Sequence, residues 1–346
     1  MIRKGKKMIT GVYSVDFKLV SVGHGSVNNH GSVVMRSEDD CIVSNHSIPK
    51  MRGFTPFTGK ILKRTSDGAE YPQRKLISQI NLAETPAYIS ENTLKFHLFP
   101  EAKYVSHLTT KSNVHDVLAT MVGLVRGYMI PKATLGRKTS LHIESAVEQL
   151  CNGNYEQFSR SGDKEKEKTK DGEEKGTSLF SRTTLGDTEY ITYGSISIAD
   201  LQFICLDSKF GNQHAEAVAD EPKHAQSVKS LKDKINSFLK DLNPALEPKV
   251  EFHENYVRKG SLYKDQGLAG LLLNEDAITV VVDEMLRRLE SLYIRQAQGY
   301  MVTKKLTVDY NNSSKPMRIK FGEHEDKLAE KKSDNFAVYY EGVDNE

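Results

Sequence analysis

The sequence has no tryptophan and only three cysteines among its 346 residues, and no apolar run approaches the length needed to span a bilayer. Cys41, Cys151 and Cys205 are odd in number, far apart and not spaced as metal ligands, so a reducing compartment fits better than a disulfide scaffold. The basic start MIRKGKKMITG is not followed by an apolar segment and predicts no signal peptide. A P-loop, a GxGxxG turn and paired CxxC motifs are also missing, so we expect no cofactor.

Charge is present in quantity but unevenly distributed. The formal net charge is +2, yet residues 1–150 hold 20 Lys and Arg against 12 Asp and Glu, while the remainder holds 28 against 34. The two parts therefore carry +8 and −6. This asymmetry predicts a first half that faces a polyanion and an acidic counterpart elsewhere, with chance clustering on a solvated surface as the alternative.

Residues 188–206 (TEYITYGSISIADLQFICL) give the most continuous strand pattern in the chain. The first part alternates apolar and polar side chains, as a half-solvated strand does, and the part after Asp200 is apolar at nearly every position, as in a strand buried on both faces. We therefore place this stretch centrally in a sheet.

Other segments complete an α+β prediction. Further strands are predicted at residues 9–22, 93–99 and 301–309, and helices at 113–129, 141–150, 224–242 and 275–298, with Asn274 capping the last. Residues 160–177 have no apolar side chain and predict a mobile charged loop. From residue 321 onward eight acidic residues outweigh three lysines, which predicts a disordered tail.

A basic segment at residues 50–75 is the first candidate nucleic-acid surface. Seven cations face two acids there, with aromatic rings, prolines and glycines between them. Cations neutralise phosphates and aromatic rings stack on bases of any sequence, so this pattern is typical of a protruding single-strand-binding hairpin, with a solvated surface loop as the alternative. Its candidate RNA-binding residues are Lys50, Arg52, Phe57, Lys60, Lys63, Arg64, Arg74 and Lys75.

Other candidate RNA-binding residues lie outside this segment. His24 stands between Gly23 and Gly25, which permit a bulge or a close backbone approach, although a plain turn at a strand end is the alternative. The remaining candidates are basic residues near predicted helix ends or in loops: Arg126, Arg137, Lys138, Arg258, Lys259 and Arg295, the last assigned to the helix at 275–298.

A series of collinear motifs then points to a known family. The strings SVDFKLVSVGHGSVN, IPKMRGFT, ETPAYIS, GLVRGYMIP, NGNYEQF, TTLGDTEYITYGSISI, NYVRKG, GLLLNEDA, IRQAQGYM and LTVDYN closely resemble the backbone subunit of the variant, minimal type I-F CRISPR–Cas effector complex. The resemblance runs from about residue 9 to 320. The extra basic N-terminal residues, a longer charged loop at 161–176 and the acidic tail depart from it.

The resemblance implies both a fold and a function. The fold would be one RAMP-type palm domain over residues 9–320, an RRM/ferredoxin-like antiparallel sheet with packed helices, with a thumb hairpin at about 54–85 and a flexible loop at 161–176. Copies would assemble head-to-tail along a CRISPR guide RNA, with other effector-complex subunits, and present the guide for pairing with target DNA. Such a protein is a non-catalytic scaffold of the prokaryotic cytoplasm with no membrane partner.

Two enzymatic alternatives remain. A metal-free RNA-processing endonuclease of the same superfamily would use His24 as general acid or base, with Tyr13 or His46 nearby in sequence. A metal-dependent hydrolase would use His30, Asp39, Asp40 and His46, but adjacent aspartates on an extended segment point to opposite faces. Both are weaker hypotheses than the scaffold.

Overall fold

The computed structural model describes residues 11–36, 42–50, 84–108, 114–130, 135–152, 156–160, 179–183, 186–206, 221–257, 267–296, 299–312, 318–320, 329–332 and 335–341. The helices are α1 (Glu91–Leu98), α2 (Ala102–Leu108), α3 (Val114–Leu118), α4 (Ile198–Gln202), α5 (Glu221–Leu242) and α6 (Glu275–Glu290), with a π-helical turn at Val122–Arg126. The strands are β1 (Ser14–Gly25), β2 (Asn29–Arg36), β3 (Ile42–Pro49), β4 (Tyr88–Ile89), β5 (Tyr128–Ile130), β6 (Leu135–Arg137), β7 (Leu141–Ile143), β8 (Ala146–Glu148), β9 (Glu156–Arg160), β10 (Leu179–Thr183), β11 (Asp187–Ser197), β12 (Phe203–Cys205), β13 (Val250–Tyr256), β14 (Leu268–Leu273), β15 (Tyr293–Gln296), β16 (Gly299–Asn311), β17 (Arg318–Lys320), β18 (Ala329–Lys332) and β19 (Val338–Glu341).

A seven-stranded antiparallel sheet organises the molecule. Its strand order is β15-β16-β1-β11-β8-β4, and β7 also pairs with β11. Strand β1 lies between β11 and β16, pairing with β11 from Ser14 opposite Ser197 to His24 opposite Asp187. The prediction of a central strand at the start of residues 188–206 is therefore confirmed.

Alternation along β1 and β11 separates an inner face from an outer face. On the inner face Phe17, Leu19 and Ile196 are fully buried. Helix α6 contributes Val281 and Met285 to the same core, following the 3.6-residue period that its sequence predicts. Asn274 Oδ1 accepts the Ala277 N–H at 2.9 Å, which confirms the predicted N-cap.

Helix α5 and a smaller sheet extend this layer. Leu231, Ile235 and Leu239 form the predicted apolar face of α5 and join the same core. The smaller sheet has the order β12-β14-β13, and β13 and β14 contact α5 and α6 respectively. Helices on one side of an antiparallel sheet define an α+β protein, as predicted.

Two segments adopt the opposite secondary structure to the one predicted. Residues 93–99 were expected as a strand, but all except the C-cap Phe99 belong to α1, because the Ser90 side chain caps the helix and Leu94 and Leu98 are buried four residues apart. Residues 141–150 were expected as a helix but form β7 and β8, because pairing with β11 buries alternate side chains there.

Three other predictions were wrong in their boundaries. The expected helix at 113–129 divides into α3, the π-helical turn and β5. The second part of 188–206 is not one strand, since α4 precedes the three-residue β12, which pairs with β14 in the smaller sheet. Helix α6 ends at Glu290, so Arg295 lies on β15 and not on a helix.

The acidic tail is not wholly without structure, as had been expected. Strands β18 and β19 pair with each other, β19 also pairs with β17, and Ala337 is buried. The charged loop at 161–176 lies outside the described residues, as does most of the thumb segment at 54–85, but β9 and β10, which flank the loop, pair with Arg160 opposite Leu179. Within the described part of the chain, no helix is both long and apolar enough to cross a membrane.

Candidate nucleic-acid interface

The outer face of the central sheet is open along much of its described length. Its side chains are half-buried or exposed, unlike those of the inner face, and come from the three strands β1, β11 and β16: Lys18, Val20, Val22, His24, Glu189, Ile191, Tyr193, Tyr300 and Val302. Aliphatic, aromatic and cationic groups therefore share one accessible surface.

One end of this face collects groups suited to nucleic acid, and we call it the His24 end. Nδ1 of His24 lies 3.2 Å from Oδ1 of Asp187, its register partner on β11. On the other side His24 pairs with Tyr300, which in turn pairs with Arg295 on β15. Tyr300 and its neighbour Tyr293 are 47% and 53% exposed. An imidazole, a guanidinium and two aromatic rings thus lie at the edge of the open face.

Glycines make the close strand approach at this end possible. A Cβ atom on Gly23 would overlap the backbone carbonyl of Tyr300, so no other residue fits there without moving β16. Gly25 has a φ of +72°, a conformation that side chains with a Cβ rarely adopt. The close backbone approach that these glycines permit occurs here between β1 and β16, and their approach to phosphates or bases stays a prediction.

The described residues on either side of the predicted basic hairpin meet near the end of β1 that carries His24. The Lys50 N–H donates to the Asn28 carbonyl at 2.8 Å, and the Tyr88 N–H donates to the Lys50 carbonyl at 2.8 Å. Asn28 lies three residues beyond the end of β1 and also accepts the Ser90 N–H through its side chain. Lys50 and Tyr88, which lie on either side of the predicted hairpin in the sequence, are therefore joined to each other and to the chain just after β1.

Most of the predicted binding residues lie outside the described part of the chain. Lys50 is half-buried at the base of the insertion. The other candidates in this segment and in the loop after β13 lie outside the described residues: Arg52, Phe57, Lys60, Lys63, Arg64, Arg74, Lys75, Arg258 and Lys259.

Arg126 and Lys138 do not join the His24 end. The Ser140 N–H bonds to the Val125 carbonyl, and the Ser140 carbonyl accepts the Ser197 N–H, which places both cations near the start of β1. Ten residues of strand at about 3.3 Å each put roughly 33 Å between this end and His24. The two groups of cations would contact different parts of a bound polymer.

Arg137 is a structural residue, and its prediction as an RNA contact was wrong. Its side chain is buried and donates to the backbone carbonyls of Phe203, Leu124 and Asp200 at 3.2, 3.4 and 3.1 Å. Burial lowers the pKa of its guanidinium to about 10, which leaves it charged at neutral pH. It joins the π-helical turn to α4 and β12.

The geometry also bears on the two enzymatic alternatives. Tyr13 precedes β1 and His24 lies near its end, so roughly 36 Å of strand separates them and they cannot act together. His30 and His46 lie on the β2–β3 ribbon, whereas Asp39 and Asp40 lie outside the described residues. Among the residues that are described, no three His, Cys, Asp or Glu side chains cluster as metal ligands do.

Sequence reasoning missed three residues of the His24 end. Asp187 directly follows Gly186 and gives no local signal, because its partner His24 is 163 residues away. Tyr293 and Tyr300 could have been found, since the exposed Tyr300 and Val302 flank the buried Met301 in the alternation of a half-buried strand.

An α+β protein with an open antiparallel sheet face of cations and aromatic rings belongs to a class suited to holding a polyanion. The family model described as type I-Fv CRISPR-associated protein Cas7fv-like matches residues 11–343, so the chain belongs to the Cas7fv-like family, and the resemblance drawn from the sequence is confirmed. No curated protein matches the chain.

Solved structures add little to this assignment. A chain described as belonging to a CRISPR RNA-guided surveillance complex is 8% identical to this chain, over 71% of this chain and 72% of its own length. The TM-score is 0.19, too low for the likeness to support any argument.

Proposed function

We propose that the protein is the CRISPR RNA-binding backbone subunit of a type I-F variant effector complex. Copies assemble head-to-tail along the guide RNA and present it for pairing with target DNA, beside other subunits of the complex. The observation that carries this proposal is membership of the Cas7fv-like family over residues 11–343.

The open sheet face supports a sequence-indifferent mode of binding. A backbone subunit has to accept any guide, so it should contact phosphates and stack on bases while leaving their pairing edges free. Arg295 can neutralise a phosphate, and Tyr293 and Tyr300 offer exposed rings beside it. The basic insertion that starts at Lys50 adds further cations at the same end, and its residues remain part of the proposal.

The architecture proposed for this function is a RAMP-type palm with a thumb. The first strand in the described part of the chain, β1, lies between β11 and the late strand β16, as the first strand of an RRM/ferredoxin-like sheet lies between two later ones. The hydrogen bond that joins Lys50 to Tyr88 brings together the two ends of the insertion that holds residues 54–85, as a protruding thumb requires.

Head-to-tail assembly follows from the geometry of repeated contacts. Identical subunits that use two different surfaces form an open helix when the rotation does not close, and the length of the RNA then limits the filament. The scaffold needs no catalytic group, so the proposed function is not enzymatic.

One observation favours a second candidate, the metal-free RNA endonuclease. Asp187 lies within hydrogen-bonding distance of His24 Nδ1 and could orient the ring, as a carboxylate orients a catalytic imidazole. The pair is exposed, however, with side-chain exposures of 43% and 91%, and Tyr13 cannot serve as its partner. We therefore assign His24 to RNA contact rather than to cleavage.

The first experiment is to purify the protein alone at moderate salt and record its absorbance spectrum. With 15 Tyr and no Trp, the protein absorbs weakly at 280 nm, so bound RNA dominates the spectrum. We expect heterogeneous oligomers that contain host RNA. A nucleic-acid-free monomer that also fails to bind added single-stranded RNA would overturn the proposed function.

Cleavage is tested separately. The wild-type protein and His24→Ala are incubated with repeat-containing RNA in the absence of metal. We expect the same background level of cleavage for both proteins. Metal-free cleavage that His24→Ala abolishes would favour the endonuclease instead.

A further inference from the structure

Three residues of the C-terminal segment, 335–337, lie against the end of the open face opposite His24, and we call them the strap. Asn335 Nδ2 donates to Asp309 Oδ1 at 2.9 Å and to the Val308 carbonyl at 2.8 Å. The N–H groups of Phe336 and Ala337 both donate to Asp309 Oδ2 at 3.0 Å. Asp309 is only 3% exposed, and these charge-assisted bonds hold the strap at this end of the sheet.

The strap places an aromatic ring on the sheet. The rings of Phe336 and Tyr193 are 6.0 Å apart between centroids and inclined by 33°. Tyr193 lies on β11 opposite Lys18 of β1, whose Nζ lies 5.7 Å from the centre of the same tyrosine ring. Phe336 therefore packs against an aromatic ring that already has an ammonium group over it.

The pair of Tyr193 and Lys18 has the composition of a stacking position for a nucleobase. The tyrosine ring can stack on a base, and the adjacent ammonium group can neutralise the phosphate of the same nucleotide. Both residues lie on the same face as His24, and the six residues from Lys18 to His24 span roughly 20 Å of strand. A single strand that follows β1 from the His24 end would reach this position.

We propose that Tyr193 and Lys18 hold a base of a bound single strand, and that Phe336 occupies this position when no nucleic acid is present. The inference rests on the proposed function. It adds a second position at which the sheet binds a base, and it adds that Phe336 competes with the base for that position. Binding of the polymer and docking of the strap thus exclude each other on this part of the sheet.

The first test compares the full-length protein, freed of RNA at high salt, with its Phe336→Ala variant. A uridine homopolymer serves as the probe, and affinity is measured by fluorescence anisotropy. Removing the competing ring should raise the affinity at least about fivefold, the low end of the effect of one stacked base. The matched control is Tyr104→Ala, which removes an aromatic side chain that is 77% exposed on α2, behind the sheet, and should leave the affinity unchanged.

If Phe336→Ala binds the homopolymer as tightly as the wild type or more weakly, Phe336 does not compete with the nucleic acid. A second variant tests the position itself: adding Tyr193→Ala to Phe336→Ala should remove the gain in affinity. A gain that survives the loss of Tyr193 would show that the base does not stack there. If neither the wild type nor Phe336→Ala binds the polymer, the proposed function itself fails.

A spectroscopic test uses the absence of tryptophan. In Phe336→Trp the new indole is the only one in the chain, so its emission reports on the strap alone. Saturating homopolymer should raise the acrylamide quenching constant at least about twofold, because the displaced ring becomes exposed to solvent. A quenching constant that does not change at saturation would mean that the strap stays docked, and would overturn the proposal.

Discussion

Arg288 joins two helices of the layer behind the sheet, and we expect Arg288→Ala to destabilise the protein substantially. Its Nε lies 2.7 Å from Glu284 on the same helix, and its Nη1 lies 2.7 and 3.0 Å from the two carboxylate oxygens of Glu101. Nη1 also donates to the Leu98 carbonyl at the end of α1, at 3.1 Å. The Arg288 side chain is 17% exposed.

The magnitude follows from what the substitution leaves behind. Breaking a fully buried pair costs about 3–5 kcal/mol, because a charge remains buried without its partner. Glu284 keeps its two 2.7 Å contacts with Arg287, and Glu101 is 27% exposed and can be hydrated. The cost of leaving these carboxylates without Arg288 is therefore smaller than for a fully buried pair. We therefore expect a loss of about 2–3 kcal/mol in the free energy of unfolding at pH 7.

The matched control is Arg287→Ala, one position earlier on α6. Arg287 also binds Glu284, which is only 10% exposed, but the Arg287 side chain is 65% exposed and Glu284 keeps its bond to Arg288, so we expect a loss of about 0.5 kcal/mol. Urea denaturation followed by circular dichroism measures both variants. Equal losses, or a loss below about 1 kcal/mol for Arg288→Ala, would show that Arg288 does not couple α1 to α6.

The same network predicts a pH dependence. Burial raises the pKa of Glu284, but hydrogen bonds from Arg287 and Arg288 outweigh it and hold the pKa below its ordinary value of 4.5. A lowered folded-state pKa stabilises the protein above the unfolded value, and this stability is lost as the pH falls below 4.5 through the folded value. The difference between wild type and Arg288→Ala should therefore shrink as the solution is acidified in that range.

Other predictions concern RNA binding and the sheet. Replacing residues 163–175 with a short Gly/Ser bridge should leave the melting temperature and the RNA affinity unchanged, because Arg160 and Leu179 already pair across the loop. The entropy of loop closure also changes by only about 0.6 kcal/mol per doubling of loop length. Loss of RNA-dependent assembly in this variant would show that the loop is a docking surface. Gly23→Ala should cost about 1–3 kcal/mol by forcing β1 and β16 apart, and an unchanged melting temperature would contradict that close approach. The RNA affinity should fall with a log–log salt slope of about −0.7 per phosphate neutralised, whereas a flat response would indicate recognition without phosphate contacts. Alanine at the thumb cations should weaken RNA binding far more than alanine at the lysines of the charged loop, and equal losses would refute the thumb assignment. The thumb set is Lys60, Lys63, Arg64, Arg74 and Lys75. The loop set is Lys164, Lys166, Lys168 and Lys170.

The amino-acid sequence alone determined the elements whose pattern is long and regular. Helices α5 and α6 follow from a 3.6-residue apolar period and, for α6, from the Asn274 cap. Strands β1 and β11 follow from alternation over many residues, and the collinear motifs identified the family that matches residues 11–343. The glycines beside His24 indicated a close backbone approach, but only the structure showed that the approaching group is the neighbouring strand β16.

Tertiary structure decided what short or distant segments do. Residues 141–150 contain enough apolar side chains for a helix, but hydrogen bonds to β11 outweigh that local preference, and only their pairing partner makes them strands. Sequence showed Arg137 as one cation in a basic loop, whereas the fold buries it among three carbonyl groups. The meeting of His24 with Asp187, and of Phe336 with Tyr193, joins residues more than a hundred positions apart. Local sequence patterns determine whether a segment is a helix or a strand, but the register between strands comes from packing the whole chain around one core. That register decided which residues lie together in the candidate site.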